Sequence, residues 1–183
     1  MRKMITLIVA LAASSTTSMA QGASASASQT VVLTLSNVMS ITFLATNSNT
    51  GNAVNIPFST LSQYANGVAS APQQLKIQSN KAYNITVATN SPDFAYTGTA
   101  TPTPAMPVSG VLAMQVSANG TGGNVSSEFN GTYASLSNTP HSLISAGGYG
   151  NNSTLSIQYE ATPGMGYPSG SYAANVVYTA SQP

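Results

Sequence analysis

Few side chains in this sequence are equipped for chemistry. There is one histidine, His141, and after the first few residues there are three acids, Asp93, Glu128 and Glu160; cysteine is absent. A metal site gathers several His, Cys or carboxylate ligands, and here each candidate stands alone. A nucleophilic triad would have to join His141 and Asp93 to one of many serines, and no Gly-x-Ser-x-Gly turn exposes one. Two carboxylates acting on a glycosidic bond must converge on it, and the spacing of the acids gives no sign of that. His141, beside Pro140 in a polar run, reads as a solvated loop residue, and Glu128 and Glu160 read as surface charges. The expectation is a protein without catalytic residues, metal or cofactor.

Tyrosine is the other chemical resource. An aromatic face stacks on sugars, but most tyrosines of a β protein serve packing. Tyr149 and Tyr167 stand apart because both lie in glycine-rich runs. They are the expected ligand contacts, should the protein bind a glycan.

The elements that must position these residues are strands. Apolar and polar residues alternate over Met39–Phe43, Gln74–Gln78, Tyr83–Thr89, Val111–Val116, Thr154–Tyr159 and Tyr172–Thr179, a period of two that places one face on a core. Gln74–Gln78 and Tyr83–Thr89 are expected to form a hairpin around Ser79–Ala82. Val54–Phe58 reads as a short edge strand broken by Pro57, and Glu128–Tyr133 as a weak strand. One helical turn is expected over Thr60–Gly67. Leu143–Ile144 and Gly147–Asn152 read as a loop, and Thr101–Pro107, with three prolines, as an extended loop. Short strands split by Gly, Asn and Pro, with no sustained helical pattern, predict an all-β sandwich or barrel.

The longest alternating stretch is Ala23–Leu35, just behind the amino terminus. Val31, Leu33 and Leu35 form its apolar stripe. Such a strand completes either its own chain's sheet or a neighbour's. Ahead of it, Met1–Lys3 is basic, Met4–Ala13 apolar and Ser18–Ala20 small, the pattern of a secretory signal peptide cut after Ala20. The apolar run is too short to span a bilayer, which takes roughly 20 residues. The expected organisation is therefore a signal peptide over 1–20, an extension over 21–36 and a β-sandwich over 37–183. Beyond the signal only two lysines and three acids remain, so no basic patch exists to bind nucleic acid. Charged residues are 4% of the chain, which weakens the usual defence of strand edges against one another.

Three stretches carry a resemblance to a known family: the leader QTVVLTLSNVMSITF, the middle segment QLKIQSNKAYNITVAT and the ending YPSGSYAANVVYTA with its Gly-x-Tyr turn. Together they resemble the chaperone–usher pilins, in particular the spore-coat-U-like and CS1-type fimbrial subunits. The resemblance implies an immunoglobulin-like sandwich that lacks its last strand, filled by the extension of the next subunit. Carried onto this sequence, Val31, Leu33 and Leu35 would enter the neighbour, and Tyr172, Ala174, Val176 and Tyr178 would border the accepting groove. It also implies passage through the periplasm to the cell surface, with copies of the same chain, a periplasmic chaperone and an outer-membrane usher as partners. Many of these pilins carry one disulfide, and this chain has none. The alternative is a monomeric secreted module that binds a glycan or a surface, without catalysis, through Tyr149 and Tyr167.

Overall fold

The structure, a computed structural model, describes residues 25–44, 53–100, 102 and 105–183. The signal segment 1–20, leader residues 21–24 and residues 45–52, whose run of Asn, Ser, Thr and Gly over 47–52 reads as a loop, lie outside the described residues. Residues 25–35 are in neither helix nor strand and all are exposed, Val31 by 77%, Leu33 by 82% and Leu35 by 85%. The strand expected at Ala23–Leu35 therefore does not form over the described part of the leader. A period of two says which face can be buried; a ladder also needs a second backbone.

The described residues of the unit Ser36–Pro183 form twelve strands and one short helix. In chain order these are β1 (Met39–Leu44), α1 (Leu61–Asn66), β2 (Val68–Ala69), β3 (Gln73–Ser79), β4 (Tyr83–Thr89), β5 (Ala95–Thr97), β6 (Leu112–Gly120), β7 (Asn124–Val125), β8 (Ala134–Ser135), β9 (His141–Gly147), β10 (Gly150–Ala161), β11 (Ser171–Ala173) and β12 (Val176–Ser181). One sheet runs β1-β3-β10-β6-β8, with β2 paired to the last two residues of β10. A second runs β12-β4-β9-β7, and β5 and β11 form a separate ribbon. All of these ladders are antiparallel.

The two larger sheets share one core. Leu75, Ile77, Met114, Leu155 and Ile157 come from the first; Ile85, Val87, Leu143 and Ile144 come from the second. All nine are buried and belong to a single cluster, so the chain is all-β and sandwich-like. Helix α1 is the turn expected from Thr60–Gly67. The Thr60 hydroxyl accepts the Gln63 N–H, and Gln63 Oε1 accepts the Thr60 N–H, a reciprocal cap that satisfies two end donors. Gly147 has a different function. A Cβ there would stand 2.5 Å from the buried ring of Tyr83, so the absent side chain is what lets the ring in.

Several sequence expectations are corrected. β3 and β4 are not a hairpin. β3 pairs with β1 and β10, and β4 with β12 and β9, so the turn between them crosses from one sheet to the other. Val54–Phe58 is extended and alternates half-buried with exposed residues, but it joins no ladder. Glu128–Tyr133 is a turn, not a strand, because Phe129 is fully buried as a plug and pulls the chain inward. The loop read at 143–152 is instead the body of β9 and the start of β10. The last strand divides in two at Ala174–Asn175: β11 pairs with β5 and β12 with β4. Pro107 also departs from expectation. It bridges Asp93 through its neighbours, with Phe94 N–H donating to Met106 O and Val108 N–H to Pro92 O.

Candidate functional site

The site is the open side of the sandwich, where β1 ends one sheet and β12 ends the other. Both strands are six residues long, and among the described residues each has a ladder on one side only. Their inward residues are incompletely covered. Met39, Ile41, Val176, Tyr178 and Ala180 are half-buried against the core, and Phe43 is 36% exposed. Phe43 meets Tyr178 edge-on, ring centres 5.9 Å apart.

From this contact a groove of about 580 Å³ opens along the sandwich. Phe43 and Val176 stand at its strand edges, and Leu112, Tyr159 and Ala161 are among its core-side residues. The extended segment Ala53–Phe58 also lines it, with Val54, Ile56 and Phe58 packed against the core. Among the described residues no backbone–backbone hydrogen bond reaches residues 53–58, and side chains pack them against the core. At one end stand Tyr64, Tyr167 and Tyr172. Tyr172 and Tyr96 pack at 4.8 Å and hold the loop 163–170 in place: Tyr96 Oη donates to Ser169 O at 2.9 Å and Tyr172 Oη to Pro168 O at 2.8 Å.

One polar chain lies beneath. Tyr159 and Tyr178 join hydroxyls at 2.8 Å, and Tyr178 Oη donates to Met114 Sδ at 2.9 Å. Burial pushes the Tyr159 hydroxyl up to about 12 and raises that of Tyr178 well above the usual tyrosine value. Both phenols are thus neutral donors at ordinary pH. Among the described residues no Asp, Glu, Lys, Arg or His lines the groove. Its lining is mixed, with apolar side chains such as Phe43, Val54, Ile56 and Val176 beside polar ones such as Asn55, Gln73 and Asn175.

The structure sorts the residues singled out by sequence. Tyr172, Ala174 and Val176 line the groove, and Tyr178 packs at its edge against Phe43. Val31, Leu33 and Leu35 are exposed rather than in the core. Tyr149 and Tyr167 are not brought together. Tyr167 is in this groove, while Tyr149 lines a second one with Val38, Met39 and Asn80. The sequence reading did not assign Val54, Ile56 and Phe58 to the site. Their alternation was the available signal, but it reads equally as an ordinary strand.

His141 is also corrected: it starts β9, half-buried, rather than standing in a loop. Its Nε2 is 3.2 Å from Ser137 Oγ and its Nδ1 is 3.5 Å from Glu128 Oε1. That is the order of a nucleophile, base and orienting acid, with Glu128 in place of the Asp93 considered from sequence. The Ser137 hydroxyl, however, accepts the Thr139 N–H at 3.2 Å within a tight turn. Neither groove is lined by any of the three residues. What the trio does visibly is fasten the turn before β9 to the segment that carries Phe129. Among the described residues no three His, Cys, Asp or Glu side chains gather as a metal site, and no helix is long and apolar enough to cross a membrane.

Compared with known proteins, the chain matches no family model and no curated protein.

Proposed function

We propose that this chain is a structural subunit of an extracellular fibre, assembled when the leader of one copy enters the groove of the next. The observation that carries the reading is the correspondence of two parts. One is a groove with a partly apolar lining that reaches the outer strands β1 and β12 at Phe43 and Val176; the other is an exposed leader whose apolar residues alternate at strand spacing. A leader strand lying along β12 would supply ladder hydrogen bonds to its free edge, and Val31, Leu33 and Leu35 would supply the side chains. Strand addition of this kind joins backbone affinity to side-chain specificity. The contact is head-to-tail, so it propagates instead of closing.

The strand order supports the same reading. The sheet β1-β3-β10-β6-β8 faces the sheet β12-β4-β9-β7, and among the described residues no strand lies beyond β12. We read this as an immunoglobulin-like sandwich without its final strand, as in the chaperone–usher pilins. On this reading the chain is exported after cleavage at Ala20, and a chaperone and an usher handle it before it reaches the cell surface. The shortage of charge suits a surface meant to associate.

Deletion of residues 21–35 tests the proposal. The truncated chain should stay monomeric yet take up a synthetic peptide of those residues, whereas the intact chain should give a heat-sensitive ladder on a denaturing gel. A single monomer band from the intact chain, together with no peptide uptake by the truncated one, rejects it.

A further inference from the structure

Two amide side chains converge on the stretch from which the leader departs. Asn80 lies in the turn between β3 and β4. Its Nδ2 donates to the Ser36 carbonyl at 2.8 Å and its Oδ1 accepts the Val38 N–H at 3.0 Å. Its own backbone N–H donates to the Val38 carbonyl at 3.3 Å. One residue thereby carries the β1–β3 pairing beyond its last matched pair, Met39 and Ser79. Gln182, just past β12, donates from Nε2 to the Val38 carbonyl at 3.1 Å and to Ser79 Oγ at 2.9 Å, with Asn80 Oδ1 3.4 Å away. Three segments far apart in sequence meet here. Neither amide is charged, so salt does not screen the junction.

We propose that Asn80 and Gln182 are positioning residues of the assembled fibre: a clasp that holds the root of the leader and passes tension from it to β12 of the same subunit. This rests on the strand-donation reading above. In a head-to-tail fibre the subunits are in series, so a pull enters each one through its leader and leaves through the edge that holds its neighbour's strand. Among the described residues β1 has a ladder only on its β3 side. A pull arriving at Val38 without the clasp would open that ladder from Met39 inward, pair by pair, at an exposed edge. With the clasp, Val38 is held from two directions. Gln182 hands the load to the end of β12, the strand that grips the incoming leader, without routing it through the core.

The experiment compares the parent full chain with Asn80→Ala and with a chain ending at Ser181. Asn80 is exposed, Gln182 is half-buried beyond the end of β12, and neither belongs to the core cluster. Asn80→Asp is the conservative control, since it keeps the acceptor for Val38 N–H and loses the donor to Ser36. Both clasp variants should take up the peptide of residues 21–35 and polymerise as the parent does. Held singly under constant tension, their polymers should lengthen by release of β1 roughly tenfold faster than the parent's, with Asn80→Asp between. That separation of normal uptake from shortened lifetime is what a merely structural role would not produce. Lifetimes equal to the parent's, with uptake intact, overturn the clasp alone. Loss of uptake in both variants also overturns it, because it places the two residues in the making of the groove. A parent chain that neither takes up peptide nor polymerises removes the strand-donation reading, and the clasp falls with it.

Discussion

The two long sides of this sandwich are finished differently. On one side the sheets end in β8 and β7, strands of two residues each. Between those short ends Phe129 and Leu136 are fully buried and join the core cluster. On the other side the sheets end in β1 and β12, three times as long, with inward residues only half covered. The first side is stoppered by the chain's own large side chains. The second ends in two backbone edges and a groove. A protein bound to remain alone has reason to shorten, charge or cover both edges. Here the treatment is applied to one side only.

Breaking the stoppered side should cost the most stability. Phe129→Ala removes a fully buried ring and should lower unfolding free energy by about 3–5 kcal/mol, measured by denaturant titration. Peptide uptake by whatever fraction remains folded should be unchanged. If uptake also fails, the two sides are not independent.

The open side has a titratable marker in Tyr159 and Tyr178. An unfolded tyrosine ionises near 10, and Tyr159 in the fold only near 12. Above pH 10 the unfolded chain therefore releases protons that the folded chain retains, so the stability from this burial is complete below 10 and is lost as pH rises toward 12. Between about pH 9 and about pH 11 the decline should be on the order of 1 kcal/mol for Tyr159 alone. Tyr178→Phe removes the second buried phenol and should make the decline shallower. Denaturant midpoints at about pH 9 and about pH 11 measure it; an identical slope in parent and variant would show that the pair does not govern alkaline unfolding.

The smallest change in stability should accompany a large change in association. Val176 is half-buried on β12 and lines the groove. Val176→Lys should cost about 1 kcal/mol of stability while reducing uptake of the 21–35 peptide more than tenfold, roughly, by placing a charge where an apolar leader side chain would pack. Isothermal titration reads the second and thermal melting the first. Uptake that survives the lysine would place the accepting edge elsewhere.

How far the sequence revealed these two sides depended on whether the information was local. The faces of β3 and β4 were legible, because alternation alone decides that Leu75, Ile77, Tyr83, Ile85 and Val87 point inward. Their partners were not, since the same alternation suits a hairpin or two strands in opposite sheets. Helix α1 was legible because its cap is set by residues three apart. Phe129 was misplaced on a strand because its burial depends on the distant elements around it. The groove was half legible: Tyr172, Ala174 and Val176 could be named from the ending, while the contribution of Val54, Ile56 and Phe58 needed the fold. The Ser137–His141–Glu128 alignment was hidden for the same reason, as was the grip of Asn80 and Gln182 on Val38.

The crossing between β3 and β4 belongs to a wider habit. Among the described strands, none is laddered to the strand that follows it in the chain. Every ladder closes a loop that contains at least one other strand. A chain built this way cannot zip up from local hairpins, and its search for partners is slow. During that search greasy strand edges stand uncovered, the state in which polypeptides clump. Newly made copies would then depend on being escorted or kept dilute until the last pairing is made.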